Sequence, residues 1–428
     1  MAKEHKDLRQ RPTAETARGD DLLSLPTSIR QINELRILRA LRAQPGISRS
    51  AIARRTGLGK ATVSTLVQKL VRSGVILENA VGAASRTAGR RPLGLQFSPA
   101  SRLTIGAVFT GGDCVAVLCD LHGRVLRTVT TAMTATTVHR ARAALRRVVR
   151  TLVVEEDELI GIGIGIPGLV DATHRHVVVA ENLGWRDVPL AEMVRKDTGV
   201  PTRLENRSNA GALAEHRVGA ARGAACLVYV SAGTGIGAGI IIDGALWRGA
   251  SSSAGELGHT TIQPAGPLCS CGRRGCLEAI ASFSAVARSI TGSRLHVAPT
   301  RPKDPRAESG LDVGALVAAR EPRALAALET AASALGSALG ATVNLLNPDM
   351  ILIELPLPAS DASCFVNRVG AALQEHCIDT SFASLTLMPA SLGHLGSAIG
   401  AAELAIDDAF SSGRVLDACR PGEESASR

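Results

Sequence analysis

Three thiols in eight residues, Cys269, Cys271 and Cys276 within CSCGRRGC, restrict the folding of this chain more than any other feature. Their spacers are too short and too glycine-rich for a disulfide framework, and they read as a metal site in a reducing, cytoplasmic compartment. His259 lies ten residues earlier and supplies a fourth ligand. Three cysteines and one histidine close a tetrahedral zinc site with no open position, so one structural zinc per chain is expected. The alternative is three unrelated buried thiols, against which Gly272 and Gly275 argue for a tight knuckle. Such a knuckle would pin the loop carrying Glu256 to the start of a helix carrying Glu278. Two carboxylates anchored in this way could grip sugar hydroxyls; otherwise each is an exposed helix-end glutamate.

Charge marks a second region. The chain carries a net +9, yet residues 28–95 hold thirteen Lys/Arg against two Asp/Glu, a local +11. Residues 1–27 are balanced and 96–428 sum to −2. A basic excess confined to one segment is the footprint of nucleic-acid binding. The same segment is patterned as three helices. Ile32, Leu35, Leu38 and Leu41 share one face of the first. Ser48 caps a second, with Arg49 beside it, and Gly57 suits the left-handed turn that ends it. The third starts near Lys60, buries Val63, Leu66, Val67 and Leu70, and shows Lys60, Ala61, Thr62, Ser64, Thr65, Gln68 and Lys69 on its other face. This is a helix-turn-helix whose third helix reads the major groove of double-stranded DNA. VILENAVGAASRTAGRRPLGLQF then reads as two strands around a basic loop, a wing whose Arg90 and Arg91 could enter a minor groove.

From Leu103 strands alternate with helices. LTIGAVF and VAVLCDLHGRVL form a hairpin pattern, and LIGIGIGIPGLVD is a buried strand running into a loop. Aromatics are only 2% of residues, so the core must be aliphatic, which suits helices packed on buried strands. Two such units in series suggest a two-lobed α/β body with a cleft. SAGTGIGAG lies between two strands and lacks a following Gly-Lys-Ser/Thr, so it reads as a tight hairpin, with phosphate binding as the alternative. LENRSN, residues 204–209, ends a strand and opens a helix, a place where polar side chains meet ligands. No uninterrupted apolar run of about 18 residues occurs, so no membrane partner is expected. Residues 1–27 lack an apolar signal core and read, like 409–428, as disordered. Residues 292–310 read as a long exposed loop.

Together these segments resemble the ROK family (repressors, open reading frames and kinases), and within it the NagC/XylR-like regulators, over about residues 28–405. CxCGxxGCxE stands here as Cys269 through Glu278, GELGH fits the preceding ExGH, and IPGLVD and ENLGW fit the sugar-side loops, with Asn182 as a hydroxyl partner. NLLNPDMILI and LGSAIGAAELA fit the closing strand and helix. The resemblance implies a winged helix-turn-helix at 28–95 and an actin-like, two-lobed sugar-kinase body at 96–408. Lobe one would span about 96–213 plus 391–408, and lobe two about 214–390. It also implies sugar contacts at Asn182, Asn206, Glu256 and Glu278, with His259 shared between metal and site edge.

The kinase members' catalytic pattern is broken at three places. Val108, Thr110 and Gly112 stand where a DxGxT loop holds phosphates. Arg207 stands at the general-base position of ENDxN, and a guanidinium cannot accept a proton at neutral pH. Glu354–Leu355–Pro356 replaces paired glycines beside the nucleotide. The expected function is a sugar-responsive, non-catalytic DNA-binding regulator, a repressor acting as a homodimer or dimer of dimers on a palindromic operator. Three readings of Arg207 stay open: it recognises an anionic effector, it pairs with Glu205 or another nearby acid, or the sugar site has decayed. The rivals are an active kinase fused to a DNA head and a regulator controlled by a protein partner.

Overall fold

The computed structural model describes residues 28–80, 93–98, 102–110, 112–133, 137–154, 157–292 and 313–417. The N-terminal extension, Arg90 and Arg91, residues 293–310 of the long loop and residues 418–428 lie outside that set.

The head comprises α1 (Ile29–Ala43), α2 (Arg49–Thr56) and α3 (Lys60–Arg72), then the antiparallel pair β1 (Ile76–Ala80) and β2 (Leu93–Phe97). The buried side of α3 is the expected set, Val63, Leu66, Val67 and Leu70. Helix α1 differs from expectation. Ile32 is 45% exposed, while Ile37 and the acidic Glu34 are buried. The reason is that α1 packs on the body as well as on its own head. Head residues Ile37, Leu38, Leu95 and Phe97 share one core with Leu121, Ile160, Ile406 and Phe410 of the body.

The body contains two five-stranded mixed sheets of the same plan. The first comprises β3 (Leu103–Phe109), β4 (Asp113–Cys119), β5 (Val125–Ala132), β6 (Leu159–Ile166) and β10 (Thr202–Asn206), in order β10-β6-β3-β4-β5. Helices α4 (Val138–Leu152) and α5 (Leu190–Thr198) belong to this lobe. A small sheet of β7 (Leu169–Val170), β8 (Val177–Ala180) and β9 (Trp185–Val188) projects from it. Helix α6 (Arg207–Arg217) leads to the second sheet, β13-β12-β11-β14-β15, built from β11 (Cys226–Ala232), β12 (Ile236–Ile242), β13 (Ala245–Leu246), β14 (Met350–Glu354) and β15 (Thr386–Pro389). With it go α7 (Leu277–Ala281), α8 (Phe283–Thr291), α9 (Val313–Ala318), α10 (Pro322–Leu346), α11 (Ala359–Gln374) and α12 (Asp379–Ser384). The last helix, α13 (Gly396–Ser412), returns to the first sheet.

Helices α6 and α13 lie against each other between the sheets, α13 on β3 and β6, α6 on β11 and β12. Glycine makes this possible. A Cβ on Gly163 of β6 would stand 1.7 Å from the Ala401 carbonyl oxygen of α13, and one on Gly400 would stand 1.7 Å from that of Ala210 on α6. Helix α10 is long and apolar enough to cross a membrane, but Leu328, Leu335, Leu339 and Val343 are core residues of the second lobe, and α11 packs along it.

The chain beyond residue 408 departs from the expected flexible tail. Helix α13 continues to Ser412, and Val415 is buried in the joint core. This stretch docks the head. Arg42 of α1 pairs with Glu403 and, at 2.7 Å, with Asp407, and its guanidinium lies 5.5 Å from the Phe410 ring centre. Glu403 is fully buried, and burial pushes its carboxyl up despite the facing Arg42. Removing one partner of so buried a pair costs about 3–5 kcal/mol.

Candidate DNA interface, metal centre and effector cleft

Gly57 at φ 69° ends α2, and Gly59 in extended conformation opens α3, the tight turn a helix-turn-helix needs. Lys60, Ala61, Thr62, Ser64, Thr65, Gln68 and Lys69 are all exposed, as expected of a reading face. Ser48 caps α2 through the Ala51 N–H at 3.3 Å. Arg49 is not free for phosphate. It donates two bonds to Glu78 of β1, at 2.8 and 2.6 Å, and one to Ser64 Oγ at 3.0 Å, tying α2, α3 and the wing together. Lys69 is held at 2.7 Å by buried Glu34. Among the described residues, Lys60, Thr62, Thr65 and Gln68 remain exposed and free of ion pairs on α3, with Ser64 exposed beside Arg49.

The four expected metal ligands converge: the ligand atoms of His259, Cys269, Cys271 and Cys276 all lie within 4.8 Å of one another. Cys271 Sγ and Cys276 Sγ are 3.7 Å apart, as are Cys269 Sγ and His259 Nδ1. Ligand atoms of a tetrahedral zinc stand about 3.5–3.8 Å apart, given bonds of about 2.3 Å to sulfur and about 2.0 Å to nitrogen, so the residues fit a four-coordinate metal. Burial raises the Cys269 thiol, but hydrogen bonds from His259 and Cys271 outweigh it and bring its pKa down to about 7. Burial and the neighbouring Cys271 push the Cys276 thiol the other way, up to about 12, so a bound metal would have to displace that proton. The other ring nitrogen of His259 faces Glu256 at 3.8 Å, the outer carboxylate that orients a metal-bound imidazole.

The same carboxylate interacts with Glu278. Burial lifts the Glu256 carboxyl above its ordinary range, His259 opposes this, and the charge of Glu278 adds to it. Glu278 accepts from the Ile236 N–H at 3.0 Å and from Ser270 at 3.2 Å, so the metal knuckle and the β11–β12 hairpin both hold it. A Cβ on Gly235 of that hairpin would lie 2.5 Å from Glu278 Oε2 and 3.9 Å from Asn182 Nδ2. The structure thus places Asn182 and Glu278 beside one glycine turn, with Glu256 and His259 close enough to Glu278 to feel its charge.

Asn206 sits apart in role. Its Oδ1 caps α6 through the Ser208 and Asn209 N–H groups, and its Nδ2 donates to the Gly168 carbonyl at 3.0 Å. The helix opens at Arg207, directly after the strand ends at Asn206, so no turn residue separates them. Glu205 is buried and takes Arg248 at 2.7 Å and Asn209 at 3.0 Å. Arg207 turns away from it, donating to Ser231 Oγ at 2.6 Å and facing Glu354 at 3.5 Å. Arg248, Ser231 and Tyr229, the last bonded to Glu354 at 3.1 Å, were not legible as members of this site. Ser231 opens the SAGTGIGAG hairpin, which reads as a turn, and Tyr229 and Arg248 lie in no motif that announces them. A separate cleft of about 1180 Å³ opens between the small sheet and α13, lined by Asp171, His174, His176, Arg203 and Asp408. Arg203 pairs with Asp408 within it at 2.6 Å, and its lining includes none of the candidate sugar residues above.

Comparison with known proteins assigns both parts of the chain to families. Residues 105–408 match the ROK family, and residues 30–76 match a winged helix-turn-helix DNA-binding family. The xylose repressor of Bacillus subtilis is 31% identical over 386 residues, 89% of this chain and 96% of that protein. A crystal structure of a ROK family transcriptional regulator, a homologue of the E. coli MLC protein, superposes with a TM-score of 0.70 at 26% identity, covering 91% of this chain and 98% of that one. A ROK family glucokinase from Streptomyces griseus, solved with glucose and AMPPNP, matches with a TM-score of 0.60 at 28% identity over 71% of this chain and 99% of its own. The chain belongs to the ROK family and joins that family's body to a winged helix-turn-helix head.

Proposed function

We propose that this protein is a transcriptional repressor whose hold on DNA is set by a sugar bound in a non-catalytic cleft. The observation that carries this reading is one continuous path. The turn at Asn206–Arg207 opens α6, α6 packs on α13, and α13 docks the DNA head through Arg42. A ligand that favours one arrangement of the cleft can shift the head only through such a connection. Similarity to xylose repressors over head and body supports it. Arg207 in place of a general base supports the absence of phosphoryl transfer.

In this reading Lys60, Thr62, Ser64, Thr65 and Gln68 face the major groove, with Arg90 and Arg91 on the wing. Asn182, Glu256, His259 and Glu278 hold sugar hydroxyls around Gly235, and Asn206 shapes the turn. The metal is a structural zinc. A homodimer places two heads on a palindromic site in the cytoplasm. The test begins with selection of bound genomic fragments by the purified protein. Neutral sugars are then titrated into the complex while ADP is followed. Sugar-dependent release without ADP is expected; steady ADP formation would make the protein a kinase.

A further inference from the structure

We infer that Glu354 is a specificity-determining residue: by neutralising Arg207 it reserves the cleft for uncharged sugars and turns away sugar phosphates and sugar acids. This rests on the reading of the cleft as a sugar site. A lone guanidinium at the mouth of such a site would favour an anion. Here it is not alone. Its Nη2 donates to Ser231 Oγ at 2.6 Å and stands 3.5 Å from Glu354 Oε2. The same Oε2 accepts from Ser231 Oγ at 2.7 Å and from the Tyr229 hydroxyl at 3.1 Å.

The carboxylate is fixed in this position. Ser231 and Glu354 are register partners on the parallel strands β11 and β14. Tyr229 and Ser231 are buried, so neither can swing out to release it. The network lies beside the sugar residues. A Cβ on Gly233 would stand 3.6 Å from Arg207 Nη2, while Gly235, two residues on, faces Glu278 and Asn182. An anion entering here meets the carboxylates of Glu256, Glu278 and Glu354, and both guanidiniums of the site are already in use, Arg207 on Glu354 and Arg248 on Glu205. A phosphate ester brings close to two negative charges at neutral pH, so repulsion outweighs what Arg207 can offer. An uncharged sugar loses nothing by the arrangement.

Calorimetry on the full-length protein tests this with D-xylose, D-glucose, D-mannose and D-fructose, each against its terminal monophosphate. The wild type is expected to bind a neutral sugar at least about tenfold more tightly than its phosphate. Glu354→Gln should close that gap by gaining affinity for the phosphate, with the neutral affinity kept within about threefold. The double variant Glu354→Gln/Arg207→Gln should lose the gain, which ties it to the freed guanidinium rather than to loosened packing. Thermal melts confirm that each variant is folded. Equal or tighter binding of the phosphate by the wild type would overturn the inference, as would an unchanged ratio in folded Glu354→Gln. Binding of no sugar of either kind by the wild type would instead overturn the sugar-cleft reading and take this one with it.

Discussion

At Arg207 a cation occupies the position where the kinase pattern of this family needs a proton acceptor, and the structure gives that cation a partner of its own, Glu354. Two departures from the kinase pattern, far apart in sequence, therefore form one compensated unit. Restoring one of them should not restore catalysis. Arg207→Asp is expected to show no ADP formation above background in a coupled assay with any sugar that binds, because Val108 and Gly112 still break the phosphate loop and Glu354 is left facing a second carboxylate. Of the other site residues, the metal ligands were the most legible, since their chemistry is written in spacing. Elemental analysis should find about one zinc per chain. Cys276→Ser should lose it and melt earlier, while Glu256→Gln should keep the metal with affinity weakened about 10–100-fold. The partners of Arg49, Lys69 and Arg207 were not legible, because each is an acid brought close only by tertiary folding.

Among the elements, α3 was read almost to the residue, since an isolated amphipathic helix carries its buried face in its periodicity. Helix α1 was read less well. It serves two neighbours, so Ile37 is buried where a one-sided helix would expose it, and Ile32 is exposed where the pattern places core. The interface at α3 makes separable predictions for DNA binding. Lys60→Ala should weaken binding to all sequences and lower the salt slope by about 1, whereas Gln68→Ala should relax preference at one base pair by about 1–3 kcal/mol. Arg49→Ala should behave differently from both. Anchored on Glu78 and Ser64, it should lower the melting temperature of the head and leave the salt slope unchanged, as read by calorimetry and anisotropy at several ionic strengths.

For the whole molecule, the two-lobed plan was visible in the alternation of strands and helices, but the joining of head to body was not. Residues 409–417 read as the start of a flexible tail, yet their apolar members Ala409, Phe410, Val415 and Leu416 pack in the core shared with the head. Arg42→Ala is expected to loosen that joint, reducing the sugar response more than the operator affinity itself. The central measurement is fluorescence anisotropy of a labelled operator fragment bound to the full-length protein, titrated with a neutral sugar in the absence and presence of ATP and Mg²⁺. A sugar-sensing repressor should release DNA along one saturable curve that ATP does not alter, with the sugar recovered unphosphorylated. Release that requires ATP and consumes the sugar, or an operator affinity indifferent to every sugar, would contradict it.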